Sequence, residues 1–161
     1  MSDISVEIKW AIIFSVSSLL WMLLEKLTGL HGRYIGYHMF FTNLFAIPAI
    51  WIFYLAVKDK KNRNRLRKMT YKQGFITGLN LILIIVLLSP LTHWISTSII
   101  SPEYFPNEIR RTLDLGYYKT IAEAEKNINY KKYVIQGITS TFIMGIFTTA
   151  IVMLFLRTKE N

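Results

Sequence analysis

Lys58-Asp59-Lys60-Lys61-Asn62-Arg63-Asn64-Arg65-Leu66-Arg67-Lys68 is the stretch around which the rest of the chain is organised. With Lys72 it gathers eight basic residues against one acid. The flanking runs, His38 to Val57 before it and Gly74 to Trp94 after it, are almost free of charge. An α-helix rises about 1.5 Å per residue and the hydrocarbon core of a bilayer is about 30 Å thick, so roughly 20 apolar residues cross it. Both flanking runs meet that length. A short loop so rich in Lys and Arg is retained in the cytoplasm. It therefore reads as a turn between a helix arriving at the inner face and a helix leaving it.

Working outward, two further apolar blocks complete the pattern, from about Ile8 to Leu27 and from about Tyr133 to Leu156. The expected membrane helices cover 8–27, 38–57, 74–97 and 133–156, with the basic loop at 58–72. The first block is too long for the apolar region of a secretion signal and lacks a small-residue cleavage site after it. Pro48 lies inside the second block, and Pro90 is expected to kink the third, because proline removes a backbone donor and crowds the preceding turn. Arg157 and Lys159 follow the fourth block on the basic side. The segment 101–132 carries six basic and five acidic residues, nearly balanced and so free to be translocated. Every loop then agrees with one orientation, with both termini in the cytoplasm. Trp10, Tyr34, Tyr37, Tyr71, Trp94, Tyr130 and Tyr133 fall near the expected helix ends, where amphipathic rings favour the headgroup layer.

The external segment has a pattern of its own. Pro102 and Pro106 break the chain after the third block, and Asn107 reads as a helix N-cap with Glu108 in the first turn. Ile109, Leu113, Tyr117, Ile121, Ala124 and Ile128 recur at spacings of three or four, opposite Arg110, Arg111, Asp114 and Lys119. This predicts an amphipathic helix over about 107–129, lying on the membrane surface or folded over the other helices. Gly116 weakens that helix by about 1 kcal/mol and is the place for a bend.

Composition narrows the function. The 161 residues include no cysteine, which excludes disulfides, thiol catalysis and thiolate metal sites. The net charge of +9 is concentrated in one loop, where membrane orientation accounts for it, so nucleic acid is not an expected partner. No nucleophile elbow, HExxH, phosphate loop or dinucleotide fingerprint occurs, and no cofactor or enzymatic activity is expected.

Two helix faces carry small residues: Gly74 and Gly78 on the third block, and Gly137, Thr141, Gly145 and Thr149 on the fourth. In lipid such faces let backbones approach closely. Packing within one chain is the plain reading, and an interface with a membrane-protein partner or a second copy is the sharper one. Asn43 and Asn80 lie in apolar stretches, where an unpaired amide is costly, and are read as hydrogen bonds between helices ahead of contacts to a ligand. Glu25 and His38 stand at opposite ends of the outer hairpin and can meet, and His93 lies near the same boundary. A metal or proton role is conceivable for such groups, but positioning at the interface is the plainer account, and no metal site is assigned.

The third block opens with Tyr71-Lys72-Gln73-Gly74-Phe75 and Gly78, passes Pro90, and is followed by Ser101-Pro102-Glu103-Tyr104. The closing block runs from Tyr133 past Gln136-Gly137 to Leu156 and a basic tail. In these features the chain resembles domain of unknown function 4199, a family of small membrane proteins common in the Bacteroidota. The resemblance implies a four-helix inner-membrane protein and transfers no catalytic residue. The expectation is thus an all-α integral membrane protein with four transmembrane helices and an external amphipathic helix between the third and fourth. Its expected role is a structural or accessory subunit in contact with membrane lipids. The alternative is a small oligomeric transporter or lipid-interacting protein.

Overall fold

A computed structural model describes residues 4–64 and 66–158; Arg65 of the basic loop and Lys159 of the tail lie outside the described residues. Among the described residues every regular element is helical. The order is α1 (Ser5–Leu27), a short 3-10 turn (Ile35–Tyr37), α2 (His38–Leu44), α3 (Ala46–Arg63), α4 (Tyr71–Trp94) continued by a π-helical stretch (Ile95–Ile100), α5 (Tyr104–Asp114), α6 (Ile121–Asn127) and α7 (Tyr130–Leu156). Four spans among the described residues are long and apolar enough to cross a membrane: Ser5–Leu27, Ile35–Arg63, Tyr71–Ile100 and Ile121–Leu156.

Local chemistry sets the boundaries. α4 begins at Tyr71, three residues before the apolar run, because Thr70 and Gln73 cap each other. The Gln73 amide donates to Thr70 Oγ1 at 3.2 Å and the Thr70 amide to Gln73 Oε1 at 3.0 Å, which satisfies two donors that would otherwise lack partners. α7 likewise begins at Tyr130 rather than 133, with the Asn129 side chain accepting from the Lys132 amide at 3.1 Å. Basic residues carry α3 on to Arg63, past the end of its apolar stretch, where Lys60, Lys61 and Arg63 oppose the negative end of the helix dipole.

Prolines act differently at their two sites. Pro48 lies in the first turn of α3, and its ring crowds the carbonyl four residues earlier, at Leu44, where α2 ends. Pro90, by contrast, lies inside α4, which runs on to Trp94. The wider turn comes later, where the Ser101 amide reaches back to the Ser96 carbonyl at 2.9 Å.

The segment expected to form one helix over 107–129 forms two, α5 and α6. Gly116 has φ +73, a left-handed conformation that an L side chain rarely adopts, and the helix stops there. α6 restarts at Thr120, whose hydroxyl accepts from the Glu123 amide.

The chain divides into two compact units, residues 1–16, 46–88 and 138–161 in one and residues 17–45 and 89–137 in the other. In the first unit, Ala11, Phe53, Ala56, Leu81, Ile82 and Ile85 form a buried core. A second cluster joins Val57, Met69, Val152, Met153 and Leu156. Lipid is as apolar as leucine, so close approach rather than desolvation holds such helices together. The glycines provide it. A Cβ on Gly74 would collide with Met153, one on Gly78 with Thr149, and one on Gly145 would stand 2.6 Å from Ile82 Cγ1. Thr149 is fully buried. Charge is also paired inside this unit: the buried Glu7 accepts from Lys60 at 3.0 Å, and Asp59 from Trp10 Nε1 at 2.9 Å and Lys9 at 2.5 Å.

Candidate functional site

The second unit holds the most concentrated polar chemistry, and it begins with how α1 ends. The Leu30 amide closes onto the Glu25 carbonyl at 2.9 Å, and the Gly29 amide onto the Lys26 carbonyl at 2.9 Å. This is the Schellman arrangement, which needs a left-handed residue after the last turn, and Gly29 supplies it with φ +80. The chain therefore doubles back directly above Glu25 and delivers His31 to it. Asn107, from α5, holds the loop by donating from Nδ2 to the His31 carbonyl at 2.8 Å. Lys26 donates to the Ile100 carbonyl and lies 3.7 Å from Glu103.

Glu25, His31 and His38 converge. Glu25 is 3% exposed, His31 1% and His38 9%. The two carboxylate oxygens have distinct roles. Oε1 accepts from Thr42 Oγ1 at 2.7 Å and from Trp21 Nε1 at 2.9 Å. Oε2 faces His31 Nε2 and His38 Nε2, each at 3.5 Å, and has no hydrogen-bond partner among the described residues. Among the described residues neither nitrogen of His31 has one either. One nitrogen from each imidazole and one carboxylate oxygen all lie within 4.8 Å of one another. Thr42 Oγ1 also approaches His38 Nε2 at 3.2 Å.

Aromatic rings wall the cluster. Tyr104 packs with its centroid 5.4 Å from His31 and 5.0 Å from His38, and Tyr133 lies 5.7 Å from Tyr104. Burial pushes the Tyr104 hydroxyl well above its ordinary pKa, so it stays protonated throughout the neutral range. Unpaired polar atoms buried among rings are costly. A carboxylate and two imidazoles so placed can share a proton or hold a cation.

The expected site residues are distributed as follows. Glu25 and His38 meet, and they meet around His31, a residue the sequence pattern does not single out. His31 sits in an aperiodic turn, and its signal is its place just after Gly29, which ends α1, between Glu25 and His38. Thr42, Trp21 and Tyr104 also belong to the site and had no separate signature. His93 is not in the cluster: its ring packs on Tyr133 at 4.9 Å, and a Cβ on Gly137 would strike it. Asn43 is exposed and donates to the Met39 carbonyl of its own helix at 2.9 Å, so it is not the bond between helices expected for it. Asn80 lines a cavity of about 430 Å³ in the first unit, with Glu7, Lys60, Arg63, Gln73 and Thr77. Gly74, Gly78, Gly145 and Thr149 are consumed in packing within that unit, and Thr141 is half-buried.

Comparison with known proteins adds a family assignment. Residues 9–158 match the family described as "Protein of unknown function (DUF4199)". Neither a curated protein nor a solved structure matches the chain.

Proposed function

The chain belongs to the DUF4199 family of proteins of unknown function, and from that premise we propose a small non-enzymatic multi-pass membrane protein, a structural or accessory subunit of a membrane complex. One observation carries the reading. On α7 the small-residue face is turned inward onto its own chain, while Phe147, Ile151, Leu154 and Phe155 stand 55–78% exposed at helical spacing. A bulky apolar ridge of this kind meets lipid or another membrane helix. The basic loop supports an orientation with both termini in the cytoplasm, and the proposed membrane is the bacterial inner membrane. The test is a mild-detergent pull-down of tagged protein from its native membrane, with Phe147→Ala/Phe155→Ala alongside. A stoichiometric membrane-protein partner lost in the variant supports an accessory role; a lone wild-type monomer sinks it.

A second reading, a small oligomeric transporter or lipid-interacting protein, is favoured by the cavity around Asn80. Its walls bring Lys60, paired with Glu7, and Arg63 together with polar amides, a net-basic lining that can meet an anionic headgroup. Native mass spectrometry decides: retained anionic phospholipid that is lost in Asn80→Leu supports this reading, and equal retention in both proteins removes it.

A further inference from the structure

We propose that Glu25, His31 and His38 bind a divalent transition-metal ion of the zinc class. The argument is geometric. Zinc sits about 2.0–2.1 Å from nitrogen and oxygen ligands in a tetrahedron, whose ligand-to-ligand edge is then about 3.3 Å. Glu25 Oε2 lies 3.5 Å from both His31 Nε2 and His38 Nε2, close to that edge. At 3.5 Å these contacts are longer than good hydrogen bonds, the three ligand atoms all lie within 4.8 Å of one another, and among the described residues Oε2 and the His31 nitrogens have no hydrogen-bond partner. Two imidazoles and one carboxylate also form the ligand set of open zinc sites, with three protein ligands and a fourth position free.

The surroundings fit the same assignment. The ligating carboxylate is oriented through its other oxygen by Thr42 and Trp21, the outer-shell bracing that fixes a metal ligand. A divalent ion offsets the charge of a carboxylate held 3% exposed. Imidazole and carboxylate without thiolate favour zinc and its neighbours over soft metals. Uptake of the ion leaves His38 Nε2 unprotonated and a ligand, so the 3.2 Å contact to Thr42 is the one that gives way.

The experiment uses the full-length protein in mild detergent, stripped with a chelator. It is titrated with Zn²⁺ by calorimetry and with Co²⁺ by visible absorption. The expected result is one ion per chain, with the intense Co²⁺ bands of a four-coordinate site. His31→Ala is expected to weaken binding by more than about 100-fold, beyond the range of an outer-shell change, while Thr42→Val weakens it by about 10- to 100-fold. His93→Ala, outside the cluster, retains wild-type affinity. The proposal is overturned if the wild-type chain takes up no ion, or if His31→Ala binds as wild type does. It is also overturned if His31 and His38 merely exchange protons with Glu25 across a pH titration with no change on adding zinc. Should His31→Ala fail to fold, the wild-type Co²⁺ spectrum decides by itself, because a weak six-coordinate spectrum rules out the site.

Discussion

Asn107 donates from its side-chain amide to the backbone carbonyl of His31 at 2.8 Å, so α5 fixes the loop that presents an imidazole to Glu25. The bond joins positions far apart in sequence and replaces water at a carbonyl beside a buried ring. Asn107→Ala removes it and is expected to cost about 1 kcal/mol. Thermal unfolding in detergent measures that loss. Limited proteolysis of the 28–35 loop, faster in the variant, shows that it originates there.

Gly78 and Thr149 share one space, since a Cβ on the glycine would overlap the threonine side chain. Gly78→Val is expected to destabilise by about 1–3 kcal/mol through overpacking. Combining Gly78→Ala with Thr149→Ala should lose less than the sum of the two single changes, because the second makes room for the first. Additive losses in a double-mutant cycle of denaturation midpoints would refute this packing.

Two lysines in the first unit separate buried from exposed pairing. Lys60 holds Glu7, which is 1% exposed, whereas Lys9 and Asp59 are partly in solvent. Lys60→Met leaves a buried carboxylate uncompensated and should cost several times more than Lys9→Met, which is expected to fall within about 1 kcal/mol. Equal effects on unfolding would mean that Glu7 finds another partner.

Tyr104 gives a pH dependence with a definite sign. Burial raises its pKa above the ordinary value of 10.0, so the folded state keeps a proton that the unfolded state loses. Its contribution to stability is complete below about pH 10 and falls as pH rises beyond that. Tyr104→Phe should flatten this alkaline decline relative to wild type. Unfolding midpoints between neutral and strongly alkaline pH measure the difference, and identical slopes would contradict it.

How far this could be read from sequence depended on the length of each signal. The four spans were legible because twenty-odd apolar residues between charged loops leave little choice. Their ends were less so: Thr70 with Gln73, and Asn129, start helices outside the hydrophobic runs, and apolarity does not register such caps. The stripe from Ile109 to Ile128 was a true periodicity, but Gly116 interrupts the backbone while the pattern continues across it. At the cluster, Glu25 and His38 stood out as polar groups beside apolar blocks. His31 did not, since a residue delivered by a helix-ending turn has no period to announce it. Tyr104 reaches the site from 66 residues beyond His38 in the chain, a juxtaposition that only tertiary packing makes.

The turn at Gly29 also bears on how the protein is made. Glu25, His31, His38 and Thr42 all come from the first hairpin, so they can meet before Asn107 of α5 arrives to fix the loop. Contacts this local form early. During synthesis the hairpin can therefore gather its acid and both imidazoles while the third and fourth spans are still in the ribosome. A polar residue that would resist entry into the bilayer then arrives already accompanied, and α5 closes over it afterwards.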